Sequence, residues 1–181
     1  MRLVKGETIL VIVDFQEKIV PAMREGALAA REAVKLIKGF QALDCPVLVT
    51  QQYTKGLGES VAEIQGAFAE FSHIEKGSFS VMGEQGFVDA LAESGRKTVV
   101  LCGIEAHVCV MQSAFDMQAA GYTVFLATDA VSSRKERDEK TALKRMIQAG
   151  VIPTTVESAL FELLDNDSKS EVFKTISRLI R

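Results

Sequence analysis

The feature that most constrains this chain is its alternation of unbroken apolar runs with segments of helical spacing. Thr8 to Val13 ("TILVIV"), Pro46 to Gln51 ("PVLVTQ"), Thr98 to Gly103 ("TVVLCG"), Tyr122 to Thr128 ("YTVFLAT") and the short Val151 to Thr155 ("VIPTT") read as strands. Helical patterns separate and follow them. "ALAAREAVKLIKGFQAL" puts Ala30, Val34, Ile37 and Leu43 on one face. "EQGFVDALAESG", the stretch from Ala106 to Ala120 and "DEKTALKRMIQAG" end at Gly95, Gly121 and Gly150, and "ESALFELL" and "SEVFKTISRLI" are terminal helices. The strands are continuously apolar instead of alternating, as in a sheet covered on both faces. Strand–helix alternation implies right-handed crossovers. The expected fold class is therefore α/β: a three-layer α/β/α, doubly wound, mostly parallel, Rossmann-like sheet. The 181 residues suit one domain, residues 1–181.

Charge and cysteine usage narrow the partners. A net charge of −3 favours neither nucleic acid nor a membrane surface. The apolar run near the N-terminus, in "MRLVKGETILVIVDF", is too short to span a bilayer and lacks a signal-peptide cleavage site. A cytoplasmic location is expected. Three cysteines, Cys45, Cys102 and Cys109, are an odd set at irregular spacing, unlike a disulfide framework or a zinc site.

In a doubly wound sheet, active residues gather at the carboxyl ends of the strands. That rule selects Asp14, the pair Gln51 and Gln52, the turn from Gly103 to Cys109, and Asp129. Lys76, in the short extended piece "HIEKGSFS", is a further candidate. Each has a plainer explanation. Cys102, inside "VVLCG", reads as core. Cys109 is either a small buried hydrophobe or a nucleophile whose amide lies in the first turn of a helix, where the dipole favours a thiolate. Asp14 could be a turn residue and Lys76 a surface lysine. His107 and His73 read as polar residues in packed turns. The run "RKERDEK" reads as a solvated face, with Ser132 or Ser133 near a helix start.

Taken together, "VIVDFQ", "TQQYTKGLGES", "EKGSFS", "GIEAHVCV", "DMQAAGYTVFLATDAVSSR" and "ALKRMIQAGVIPTTVESALFELL" resemble the isochorismatase-like cysteine hydrolases, in order and over nearly the whole chain. The small, functionally unassigned members are the nearest in motif. The resemblance implies an Asp-Lys-Cys triad of Asp14, Lys76 and Cys109. It also implies a cis peptide between Ile104 and Glu105, and an oxyanion hole from the amides of Glu105 and Cys109. A homo-oligomer, dimer or higher, is implied as well. Two departures stand out. Ala106 replaces a frequent threonine before His107. Gln51, Gln52 and Tyr53 occupy the stretch where nicotinamidases carry an Asp-x-His metal pattern, so no metal and no cofactor are expected.

The implied chemistry is attack by the Cys109 thiolate on a small amide, with Asp14 carrying the proton and Lys76 stabilising both anions. Ester cleavage and a redox-responsive thiol are the alternatives. Loops such as "QEKIVPAM" and "QYTKGLGE" should wall the pocket, with Phe15, Gln16, Gln52, Tyr53 and Phe79 as candidate substrate-lining residues.

Overall fold

All six residues of β1 (Thr8–Val13) are buried, and its two faces serve different cores. Leu10 and Ile12 join one apolar cluster, while Ile9, Val11 and Val13 join another. The same division recurs downstream, so a strand with no polar face is what two covered faces require. The computed structural model describes residues 1–165 and 168–181. After β1 come α1 (Gly26–Ala42), β2 (Val47–Gln52), α2 (Thr54–Leu57), α3 (Ala62–Gln65) and β3 (Ile74–Lys76). Then follow α4 (Gln85–Glu93), β4 (Thr98–Ile104), α5 (Met111–Ala119), β5 (Thr123–Ser132), α6 (Glu136–Gln148), β6 (Ile152–Thr154), α7 (Val156–Leu163) and α8 (Glu171–Ile180). The strands form one parallel sheet in the order β3-β2-β1-β4-β5-β6.

Helices cover both faces, giving three α/β/α layers. Val100 and Cys102 of β4 and Phe125 of β5 pack with Leu36, Ile37 and Phe40 of α1 and Leu160 of α7. Val99 and Leu101 of β4 and Leu126 of β5 pack with Phe87 of α4, Met117 of α5 and Met146 of α6. The contact between α1 and α7 is close enough that a Cβ on Gly39 would lie 2.3 Å from a Leu160 methyl. Among the described residues, no helix is long and apolar enough to cross a membrane.

The direction of winding reverses between β1 and β4, and a doubly wound sheet opens a crevice at that point. Asp14 follows β1 there, and Gly103 and Ile104 end β4.

Three local expectations are corrected. The fourth apolar strand does not stop at Thr128 but runs to Ser132. Asp129 therefore sits within β5 instead of after it. Its carboxylate accepts the Val156 amide at 3.0 and 3.1 Å, serving the start of α7. The helix expected from Ala106 to Ala120 begins as a π-helical turn, Ala106–Val110, before α5. Ser132 and Ser133 are fully buried and lie outside the helix start, since α6 begins at Glu136.

Candidate active site

Asp14 leaves β1 in a left-handed conformation, φ 55°, which aspartate tolerates better than most side chains. Its Oδ1 accepts the Thr50 hydroxyl at 2.9 Å, and its Oδ2 lies 2.7 Å from Lys76 Nζ. That second oxygen is in ion-pair contact with the ammonium but receives no well-aligned hydrogen bond among the described residues. Lys76 ends the edge strand β3, so its side chain crosses over β2 to reach Asp14. Gln52, the last residue of β2, meets it on the way and accepts from the ammonium through Oε1. The carbonyls of Ser78 and Phe79 accept from the same ammonium at 3.0 and 3.1 Å. The loop supplying them is held by Glu84, whose Oε1 accepts the amides of Gly77 and Ser78 at 2.7 and 3.1 Å.

Cys109 reaches this pair from the other side. Gly103, at φ 139°, brings β4 against β1 so closely that a Cβ there would lie 2.3 Å from the Val13 carbonyl oxygen. The Ile104–Glu105 peptide that follows is cis. The π-turn then carries Cys109, whose Sγ lies 3.6 Å from Lys76 Nζ. Such turns recur at functional positions. The Glu105 amide donates to no acceptor among the described residues. Ser113 fixes the turn from below: its hydroxyl donates to the Cys109 carbonyl at 2.6 Å and accepts the Val81 amide at 3.0 Å.

The electrostatics correct one expectation. The position and the lysine suggested a resting thiolate at Cys109. Instead burial, followed by the neighbouring Asp14 charge, pushes its pKa up to about 12 against the opposing effect of Lys76. Burial also raises the Asp14 pKa, and Lys76 and Thr50 hold it down only in part. The resting cluster is a neutral thiol beside a carboxylate–ammonium pair. Burial shifts both Cys109 and Asp14 toward their protonated forms, so a proton can pass from the thiol to the carboxylate while Lys76 faces the charge that remains.

Above the cluster is a cavity of about 300 Å³. Cys109, Asp14, Gln52 and Glu105 line it with apolar walls from Ile19, Met23, Leu57, Phe79, Ile104 and Val108 and with two cations, Lys18 and Arg134. Gln52 and Phe79 thus stand where the sequence placed candidate lining residues. Three others do not. Phe15 is buried in the core, because it turns away from Asp14 into the α1 layer. Gln16 is fully buried as a clamp, donating to the carbonyls of Gln52 and Gly58 at 2.9 and 2.7 Å and accepting the Gln52 amide at 2.7 Å. Tyr53 is exposed at the start of α2, with φ 39°, and does not line the cavity.

Residues not singled out in the sequence complete the site. Lys18, Ile19, Met23 and Leu57 come from the two loops expected to form walls. Arg134 was hidden in a charged run that reads as solvated surface; its Nε is 3.0 Å from Glu105 Oε2. Thr50 gave no signal, being one polar residue in an apolar strand. Gln51, at the position of the metal pattern, is instead tied to Ser60 at 3.0 Å and Thr54 at 2.8 Å. Among the described residues, no cluster of three or more His, Cys, Asp or Glu could hold a metal. His107 sits in the turn, with Nδ1 2.9 Å from the Ser133 hydroxyl.

In a doubly wound three-layer domain, a polar cluster at the switch point marks the crevice in which ligands bind. The isochorismatase domain model matches residues 8–158, and the chain belongs to that family of hydrolases. Isochorismatase domain-containing protein 2 of Danio rerio is 36% identical over 99% of this chain and 89% of its own length. A Caenorhabditis elegans structure described as MAR1 ribonuclease superposes with a TM-score of 0.92 at 35% identity, covering 99% of this chain and 92% of that one. The YcaC gene product of Escherichia coli, described as an octameric hydrolase of unknown specificity, superposes with a TM-score of 0.91 at 25% identity, covering 99% and 90%.

Proposed function

We propose that the protein is a cysteine-dependent hydrolase that cleaves the C–N bond of a small amide through a thioester. The observation that carries this reading is the buried contact of Asp14, Lys76 and Cys109 at the floor of one cavity. A thiol, a carboxylate with one oxygen that accepts no aligned hydrogen bond and a fixed ammonium are the parts that nucleophilic acyl transfer needs.

In this reading Asp14 Oδ2 takes the Cys109 proton as sulfur attacks the carbonyl carbon. Lys76 offsets the negative charge throughout. The carbonyl oxygen, now an oxyanion, is received by the amides of Glu105 and Cys109. The C–N bond breaks as Asp14 returns its proton to the leaving nitrogen, and the acyl group remains on sulfur. Asp14 then takes a proton from water, which attacks the thioester. The resulting tetrahedral intermediate collapses with cleavage of the C–S bond, the carboxylic acid leaves, and the Asp14 proton returns to Cys109 to restore the resting state. The raised Asp14 pKa suits this role, because a carboxylate of ordinary pKa is a weak base toward a thiol.

Two alternatives fare less well. A peroxide-reactive thiol needs no matched base, whereas Lys76 is in contact with both Cys109 and Asp14. The ribonuclease description of the C. elegans relative would require a surface for a polyanion, whereas here the cluster lies beneath a small, largely apolar cavity in a chain of net charge −3. Assembly into a homo-oligomer is part of the proposal, supported by the octamer described for the E. coli relative. The test is ammonia release from a panel of small amides. Wild type should release it from at least one member and Cys109→Ala from none; a panel with no turnover, or turnover surviving in the variant, would overturn the reading.

A further inference from the structure

Counting Lys76 beneath its floor, the charges of the catalytic cavity do not cancel. Asp14 is matched by Lys76 at 2.7 Å, and Glu105 by Arg134 at 3.0 Å. Lys18 remains: among the described residues its ammonium makes no ion pair, and it donates only to the Gly56 carbonyl, at 2.9 Å. Arg134 has capacity to spare as well. Its Nε is engaged with Glu105, while Nη1 and Nη2 donate to no described residue. Lys76 differs, since its three protons already face Asp14, Gln52 and the carbonyls of Ser78 and Phe79. The cavity therefore has a polar floor whose cation is occupied, apolar walls from Ile19, Met23, Leu57 and Val108, and two cations with unused donors.

We infer that the substrate is a short amide carrying a carboxylate away from the scissile bond, held by Lys18 and Arg134. The inference rests on the hydrolase reading for the identity of the scissile group, but the anion subsite stands on its own residues. A carboxylate supplies the charge that the cavity lacks. Both cations form charge-assisted hydrogen bonds to such a group, and the arginine fork can engage both its oxygens. The apolar residues that line the same cavity suit a chain of a few methylenes, and a cavity of about 300 Å³ limits its length.

The test uses two probes of equal length, succinamate with one carboxylate and succinamide with none. Ligand-observed NMR on the full-length wild type gives the Kd of each, and ammonia is assayed in the same samples. Succinamate should bind about tenfold more tightly than succinamide, the ratio expected of one charge-assisted contact. Lys18→Gln combined with Arg134→Gln should erase that preference, leaving the two probes with equal affinity. Raising the salt concentration should narrow the wild-type preference. Equal affinities for the two probes, or a preference that survives in the double variant, would overturn the inference. Preferential binding of succinamate without ammonia release from either probe would leave the anion subsite standing and count against the hydrolytic reading alone.

Discussion

Lys76 Nζ lies 2.7 Å from Asp14 Oδ2, with both side chains sealed from solvent. The two residues come from strands that are not neighbours, since β2 lies between β1 and β3. Attraction across that gap fixes the edge strand's last side chain over the switch point. It also puts the ammonium beside Cys109.

Removing the ammonium should be costly to the fold. Lys76→Met keeps much of the side-chain volume but leaves the Asp14 charge without a partner in an apolar setting. Breaking a buried pair from one side costs about 3 kcal/mol or more. Urea denaturation at neutral pH should show that loss. It should shrink at acid pH, where Asp14 in the variant becomes protonated and neutral.

Asp14→Asn should separate turnover from thiol reactivity. The Asp14 charge is one of the causes that raise the Cys109 pKa, and Lys76 opposes it. Replacing the carboxylate by an amide removes the first and keeps the second, so the thiol pKa should fall. Alkylation of Cys109 by iodoacetamide near pH 8 should be faster in the variant than in wild type, while hydrolysis is lost. Slower alkylation would argue against the charge arrangement described here.

The Thr50 hydroxyl donates to Asp14 Oδ1 at 2.9 Å and favours the ionised carboxylate. Thr50→Val removes that bond at nearly constant volume. The Asp14 pKa should rise further, and the acid limb of the kcat/KM profile should move to higher pH. An unshifted limb would mean that Asp14 is not the group that titrates.

Cys109 also links pH to stability. Its folded-state pKa is raised from an ordinary 9.0 to about 12. The contribution is complete below pH 9 and is lost as pH rises toward 12, because the unfolded chain releases the proton first. Cys109→Ala should therefore flatten the alkaline decline of stability relative to wild type. Cys102 and Cys45, whose pKa values are also raised by burial, contribute equally to both proteins and cancel in the comparison.

How much of this was legible in the sequence depends on the range of the forces involved. The run Thr8–Val13 carries its own signal, an unbroken apolar hexamer, and its strand bounds match it. The continuation of β5 through Asp129 to Ser132 does not, because it is set by pairing with the end of β4 and by the use of Asp129 at the start of α7. Asp14, Lys76 and Cys109 could be singled out because strand ends collect polar side chains that an apolar core would reject. Their protonation could not, because desolvation depends on what packs above them. Phe15 and Gln16 stand next to Asp14 in sequence, yet one turns into the core and the other clamps the end of β2. Arg134 lies in a run of charges with no periodic mark, and only the fold brings it to the cavity.

The most direct test of the central claim is to catch the acyl group on sulfur. Wild-type protein mixed with an amide it turns over, quenched in acid within the first turnover and digested, should yield a Cys109 peptide heavier by the acyl group of the amide. Peptides carrying Cys45 and Cys102 should be unmodified, and the Cys109→Ala protein should show neither adduct nor ammonia. Ammonia release at an undiminished rate from Cys109→Ala, with no adduct on Cys109 in wild type, would contradict the account.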